Sequence, residues 1–99
     1  MAQYDVYRLP DGRLLVDMQA SSLSALPTRI AAPLVPTGKG PAPLAHLEPI
    51  FDVGDVVCAL HVGEMAAIPR GVLADPPVAT LAKDAYRITK AIDFLFTGS

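Results

Sequence analysis

The sequence predicts a small α+β fold, mainly β, in which short strands come first and a single helix comes last. Two segments have the pattern of strand–turn–strand hairpins, and residues 80–99 carry the spacing of an amphipathic helix. No repeat of domain size divides the chain, so we expect one domain spanning residues 1–99. This order predicts a barrel-like antiparallel sheet with an appended C-terminal helix.

The first hairpin is predicted at the N-terminus. Residues 4–9 are rich in aromatic and branched side chains, and residues 10–12 (Pro-Asp-Gly) supply a turn. Along residues 14–19, apolar side chains alternate with Asp17 and Gln19. A strand with this alternation places its apolar residues on one face, so the pattern predicts a β-hairpin.

A short third strand is predicted at residues 30–34, where Pro33 suits an edge or a bulge better than a central position. Residues 35–43 contain three prolines and two glycines, which predicts a loop. The Thr-Gly-Lys-Gly segment at 37–40 superficially resembles a phosphate-binding loop. It lacks the Gly-Lys-Ser/Thr ending and a following helix, so we interpret it as a connector.

The second hairpin is predicted at residues 49–62, with Gly54-Asp55 as its turn. In its second strand, one face carries a set of small and branched side chains: Val56, Cys58, Leu60 and Val62. Three prolines between residues 69 and 77 predict irregular chain before the final helix.

The final helix is expected to begin after Thr80, a residue type that caps the first amide groups of helices. Its apolar stripe consists of residues three and four apart: Leu81, Ala85, Ile88, Ile92 and Leu95. We assign Ile88, Ile92 and Leu95 to the core or to a dimer interface. Gly98 is well placed to end the helix. Because apolar residues continue to Phe96, we expect another surface to hold this end of the chain.

Composition and charge restrict the classes of function. The chain is 52% hydrophobic and 18% charged, which excludes a disordered protein, and the apolar excess favours a homo-oligomer. Net charge is −2 and the eight basic residues are scattered, so we expect no direct binding of nucleic acid. Without a recognisable signal peptide or membrane span, and with Cys58 as its single cysteine, the protein is expected in the cytoplasm.

The residues that carry chemistry do not form a recognisable site. His46 and His61 lie apart from any metal-ligand pattern, and Cys58 alternates with apolar residues as a buried side chain does. Asp17 with Arg13 or Arg29 would suit a metal-free ribonuclease, but such residues more often form a surface ion pair. We therefore predict no catalytic residues, no metal site and no cofactor.

Three internal segments and the C-terminus resemble one protein family. Residues 14–19 (LLVDMQ), continuing to Pro-Leu at 33–34, are similar to the FVDVQ…IPL segment of CcdB-type toxins. Residues 47–55 (LEPIFDVGD) resemble the LYPVVHIGD hairpin of these toxins, and residues 65–69 (MAAIP) resemble the MASVP that follows it. The final helix resembles theirs without a gap over residues 81–99. The four segments occur in the same order at nearly constant spacing.

This resemblance implies an SH3-like barrel: an antiparallel sheet, a smaller second sheet and a C-terminal helix. CcdB-type proteins are toxins of type II toxin–antitoxin modules and act by binding rather than as enzymes. They are homodimers that insert between the two A subunits of DNA gyrase and trap the enzyme on cleaved DNA. A homodimer with two-fold symmetry presents the same surface patch to each of the two A subunits. The disordered C-terminal segment of a cognate antitoxin neutralises them.

The resemblance also predicts the target-binding residues, with one departure. The family ends in Trp-Gly-Ile, which contacts gyrase, whereas this chain ends in Thr97-Gly98-Ser99. By resemblance, the gyrase-binding residues are these three together with Phe96. Two alternatives remain open: a non-toxic relative that binds only an antitoxin or regulator, and a MazF/Kid-like endoribonuclease toxin on the same fold.

Overall fold

The fold is built on an antiparallel sheet and a C-terminal helix, joined by turns and loops. The computed structural model describes residues 2–39 and 42–98. In chain order, the strands within these residues are β1 (Asp5–Arg8), β2 (Leu14–Asp17), β3 (Thr28–Pro36), β4 (Ile50–Val53), β5 (Val56–Leu60), β6 (Ala66–Pro69) and β7 (Ala79–Thr80). The helix α1 spans Ala85–Thr97. The predicted fold class, mainly β with a C-terminal helix, is confirmed.

Both predicted hairpins are present. β1 pairs with β2, and β4 pairs with β5, each in antiparallel orientation. Gly12 and Gly54 lie in the two turns with φ of 90° and 60°, a region that glycine adopts without a steric penalty. In β5, the side chains of Cys58 and Leu60 are fully buried. Val56, predicted on the same face, is 46% exposed because it lies next to the turn.

β3 is longer and more central than the sequence indicates. It pairs with β2 along one edge, and its other edge is shared by β5 and β6. Pro33, expected at an edge or a bulge, lies inside this central strand. It occupies the point where the second edge passes from β5 to β6, and its carbonyl accepts a hydrogen bond from the His61 amide at 2.9 Å. Proline has no backbone N–H, and at this junction between β5 and β6 its absence removes no hydrogen bond of the sheet.

The chain after β3 differs from the predicted loop at residues 35–43. β3 continues through Pro36, and a 3-10 turn follows at Thr37–Lys39. Gly40 and Pro41, part of the predicted connector, lie outside the described residues. Pairing with β5 extends β3 into this segment, although its prolines and glycines predict a loop.

The proline-containing chain before the helix includes two short strands rather than irregular structure alone. β6 pairs with the first half of β3, where Pro69 lies opposite Thr28. A 3-10 turn at Arg70–Leu73 follows, and the two-residue β7 pairs with β1. Alanine has low β propensity, so the Ala66-Ala67 start of β6 gave no strand signal in the sequence.

The sheet curls back on itself. Its strand order is β4-β5-β3-β2-β1-β7, with β6 added on β3. The edge strands β4 and β7 line a common cleft of about 280 Å³, next to the start of α1. This arrangement is a nearly closed barrel-like sheet, consistent with the predicted SH3-like fold. All seven strands of the described residues belong to this one sheet, because β6 pairs with β3, so the smaller second sheet implied by the resemblance is not separate.

The helix begins at Ala85 rather than directly after Thr80. Thr80 belongs to β7, where it pairs with Asp5, and this pairing keeps the chain extended. The Thr80 hydroxyl accepts a hydrogen bond from the Ala82 amide at 3.2 Å. The hydroxyl therefore binds the first amide of the 3-10 turn at Ala82–Asp84, whose N-cap is Leu81, and not an amide of the α-helix itself.

The main hydrophobic core combines one face of the sheet with the inner face of α1. From the helix, Ile88 and Ala91 are fully or almost fully buried. The sheet contributes the inward side chains of five strands, with Val6, Val16, Ala32, Leu34, Phe51, Cys58 and Leu60 among them. Burial of this helix face fixes the direction in which the C-terminal end of α1 projects.

Candidate partner-binding site

The C-terminal end of α1 presents apolar side chains to solvent. Phe96 is 72% exposed, Leu95 is 36% exposed, and Phe94 is half-buried. Large apolar side chains exposed together at the end of an element mark an interaction site more often than isolated ones do. The exposed Phe96 directly precedes the Thr97-Gly98-Ser99 ending.

The helix end has a defined conformation. Gly98 has φ of 74° and its amide donates to the Phe94 carbonyl at 2.9 Å, which is a left-handed helix cap. The Thr97 hydroxyl donates to the Asp93 carbonyl at 2.7 Å. These bonds confirm that Gly98 ends the helix. Ser99, the last of the predicted target-binding residues, lies outside the described residues.

Two neighbouring segments support this end of the helix. A Cβ placed on Gly63 would lie 3.9 Å from Leu47 Cδ2 and 3.9 Å from Leu95 Cδ1, so Gly63 lies between these two side chains. The His46 ring lies 5.8 Å from the Phe94 ring, centroid to centroid, with a 40° tilt. The turn that precedes β4 therefore packs beside the last turns of α1.

The beginning of the helix is held by Arg87. Its Nη2 donates to the Ile50 carbonyl of β4 at 2.7 Å. Its guanidinium carbon lies 4.5 Å from the centroid of the Phe51 ring, a cation–π contact. Because both ends of α1 are attached to the sheet and its loops, the exposed end is presented at a fixed position.

The three helix residues assigned to the core or to a dimer interface differ in burial. Ile88 is fully buried and Ile92 packs against the core, whereas Leu95 is partly exposed. Ala91, which the predicted stripe omits, is the second buried helix residue. Ile88 and Ala91 are three residues apart and therefore share the helix face that packs on the core. Leu95 is left at the margin of the core.

Asp17 and Arg29 form a buried ion pair, and the interpretation as a surface pair is wrong. Both side chains are fully buried, and Asp17 Oδ2 accepts from Arg29 Nη2 at 2.5 Å and from Nε at 3.1 Å. The second carboxylate oxygen accepts from the Gln19 amide at 3.1 Å. Arg29 Nη1 is buried without a hydrogen-bond partner among the described residues. Arg13 instead pairs with Asp11 in the exposed hairpin turn.

Gln19 extends this buried network to the chain after β2. Its side-chain oxygen accepts from the Ile30 amide at 3.1 Å, and its side-chain nitrogen donates to the Leu23 carbonyl at 3.1 Å. The network therefore holds the start of β3 and the turn at Ser21–Leu23 against β2. Sequence reasoning missed this role because the register that joins these residues is not visible in the sequence.

The two histidines have ordinary partners. His61 Nδ1 lies 2.5 Å from Glu64 Oε2 and 3.6 Å from Glu48 Oε2, and His46 contacts Phe94. Among residues 2–39 and 42–98, no three histidine, cysteine or acidic side chains form a group that could hold a metal ion. Burial raises the pKa of the Cys58 thiol, which disfavours the nucleophilic thiolate.

A cavity of about 410 Å³ lies between the first hairpin turn and residues 71–75. Tyr7 lines it, and burial, followed by the charges of Asp5 and Asp17, raises the pKa of its phenol. The cavity contains none of the predicted target-binding residues. Within the described residues, no helix has the length and apolar character needed to cross a membrane.

Comparison with known proteins identifies the family. A family model described as CcdB protein matches residues 3–98, nearly the whole chain. No curated protein matches the sequence. The match includes both hairpins, the nearly closed sheet and the exposed helix end. The chain therefore belongs to the CcdB family, and this membership supports its assignment as the toxin of a toxin–antitoxin system.

Proposed function

We propose that this protein is a CcdB-like toxin that binds the A subunit of DNA gyrase and poisons the gyrase–DNA cleavage complex. The observation that carries the proposal is the exposed and capped end of α1. There, Phe96 is accessible beside Thr97, and Gly98 closes the helix. By resemblance, these are the positions at which the family contacts gyrase.

The proposal includes a homodimer of a single domain, residues 1–99, acting in the cytoplasm. Several large apolar side chains are exposed on the protomer, including Tyr86, Phe96 and Leu44. A second copy that covers part of this surface would reduce the apolar area in contact with water. The two-fold axis of a dimer would present two equivalent helix ends to the two gyrase A subunits. A cognate antitoxin is the second proposed partner.

The altered ending predicts weaker binding than a tryptophan ending would give. Tryptophan is a common interface anchor, and its loss costs about 2 kcal/mol or more of binding free energy. Thr97 stands where the family has tryptophan, and its hydroxyl is bonded to the helix backbone. Since each 1.4 kcal/mol corresponds to about tenfold in Kd, we expect an affinity at least about tenfold weaker.

The buried ion pair disfavours the ribonuclease alternative. A general base and a phosphate-binding arginine must contact RNA, but neither Asp17 nor Arg29 is accessible to solvent. Arg13, the other arginine considered, lies in an exposed turn and pairs with Asp11. The non-toxic alternative differs from our proposal in a measurable way, because such a relative would bind an antitoxin but not gyrase.

Direct binding to the purified gyrase A subunit tests the proposal. We expect the full-length protein to bind, and a variant that ends at Phe96 to lose at least about tenfold in affinity. Val72→Ala is a matched control, because Val72 is exposed on the turn beside the 410 Å³ cavity. Absence of binding by the parent protein would refute the gyrase assignment and leave the non-toxic relative as the better interpretation.

A further inference from the structure

The exposed end of α1 is not an isolated surface, because the turn at residues 44–48 lies beside it. Within this turn, the Leu47 and Glu48 amides donate to the Leu44 carbonyl at 3.0 and 2.7 Å. The Leu44 amide in turn donates to Glu48 Oε1 at 2.9 Å. These bonds give the turn a preformed shape, which lowers the entropic cost of using it in binding.

This turn places an aromatic ring against the helix near its end. The His46 ring contacts the Phe94 ring at 5.8 Å between centroids, and His46 is exposed to solvent. Phe94 precedes Thr97 by three residues, and side chains at this spacing lie on the same helix face. The His46–Phe94 ring pair therefore lies about one helical turn before position 97, where the family has tryptophan.

Exposed or partly exposed leucines occur in the same turn and beside the helix end. Leu44, in the same turn, is 63% exposed. Leu47 and Leu95 flank Gly63 on the adjoining side. Paired rings with neighbouring leucines form a surface that an apolar side chain of a partner can cover.

We infer that the target-binding surface extends from the end of α1 onto the turn at residues 44–48, with His46 as a specificity-determining residue. The His46–Phe94 pair takes over part of the aromatic contact that Thr97 does not provide. The occupant is an apolar side chain of the gyrase A subunit, and the surface is continuous with Thr97, which lies three residues after Phe94 on the same helix face. This inference rests on the proposed function.

Affinity measurements with full-length variants test the inference. We expect His46→Ala to weaken binding of the purified gyrase A subunit by about tenfold, measured by titration calorimetry. His46→Phe keeps a ring against Phe94, so its Kd should stay within about twofold of the parent value. Val72→Ala serves again as the exposed control and should bind like the parent. Melting temperature and sedimentation of each variant check that fold and oligomeric state are unchanged.

The possible outcomes separate this inference from the proposed function. If His46→Ala binds like the parent while the variant ending at Phe96 does not, the helix end binds alone and the inference is wrong. Equal losses for His46→Ala and His46→Phe would overturn the role of the aromatic ring. A change of mass in His46→Ala would show that the turn contacts a second copy of the chain, which also contradicts the inference. If the parent protein does not bind the A subunit, the proposed function and the inference both fail.

Discussion

Replacement of Arg29 by alanine should strongly destabilise the fold, because it removes one partner of the buried Asp17–Arg29 ion pair. The Asp17 carboxylate accepts two hydrogen bonds from the Arg29 guanidinium and one from the Gln19 amide. Both charged side chains are fully buried. In Arg29→Ala, the carboxylate would keep the Gln19 amide as its donor but would have no compensating charge.

The size of the effect follows from this burial. Breaking a buried ion pair by removing one partner costs about 3–5 kcal/mol. For a domain of this size, each 1 kcal/mol lowers the melting temperature by about 4–8 °C, so the fall should be on the order of 20 °C. A double variant, Asp17→Leu with Arg29→Met, removes both charges and should recover most of the lost stability.

Thermal and urea unfolding, followed by circular dichroism at one fixed protein concentration, would measure these changes. Arg13→Ala is the matched control, because the Arg13–Asp11 pair is 73% and 55% exposed. Such a surface pair contributes about 0–1 kcal/mol. If Arg29→Ala is as stable as Arg13→Ala, the pair does not stabilise the fold and our reasoning is wrong. Loss of an RNA-cleaving activity at unchanged stability would instead support a catalytic pair.

Three further predictions concern the helix end and the oligomer. Gly98→Ala should cost about 1 kcal/mol in the free energy of unfolding, because alanine is strained at a φ of 74° although no atom of the described residues beyond its chain neighbours lies within 4 Å of the added Cβ. Gly71→Ala is the control in the same urea titration, because Gly71 has no positive φ and its added Cβ would likewise meet no described atom within 4 Å. Thr97→Trp with Ser99→Ile should tighten binding of the gyrase A subunit by at least about tenfold in calorimetry, and an unchanged Kd would contradict an anchoring role for this ending. Sedimentation at micromolar concentration should give the mass of a dimer, and a monomer mass would remove the argument from two-fold symmetry.

Local periodicity was sufficient to predict the fold class, both hairpins and the C-terminal helix. Alternation of apolar and polar side chains marks β2, the Gly54-Asp55 turn between two apolar runs marks β4 and β5, and spacings of three and four mark α1. The sequence failed where long-range pairing overrides local propensity. β3 continues through Pro33 and Pro36 because β2, β5 and β6 pair with it. β6 begins with two alanines, which give no strand signal by themselves.

The candidate site was only partly predictable for the same reason. The resemblance assigned Phe96, Thr97 and Gly98, and their exposure at a capped helix end is compatible with that assignment. Contacts between residues distant in sequence were not predictable from local patterns. The Asp17–Arg29 pair depends on the β2–β3 register, and the His46–Phe94 contact depends on how the turn before β4 packs on α1.

The amount of DNA that gyrase leaves cleaved in the presence of the purified protein measures gyrase poisoning itself. With gyrase from the protein's own host, plasmid DNA and ATP, we expect the full-length protein to cause covalent gyrase–DNA cleavage complexes to accumulate. A variant that ends at Phe96 should lose this effect, with little change in melting temperature, because terminal exposed residues bury little apolar surface. If the full-length protein leaves the level of cleaved DNA unchanged, or if the shortened variant remains fully active, the assignment of the helix end as the gyrase-poisoning surface is contradicted.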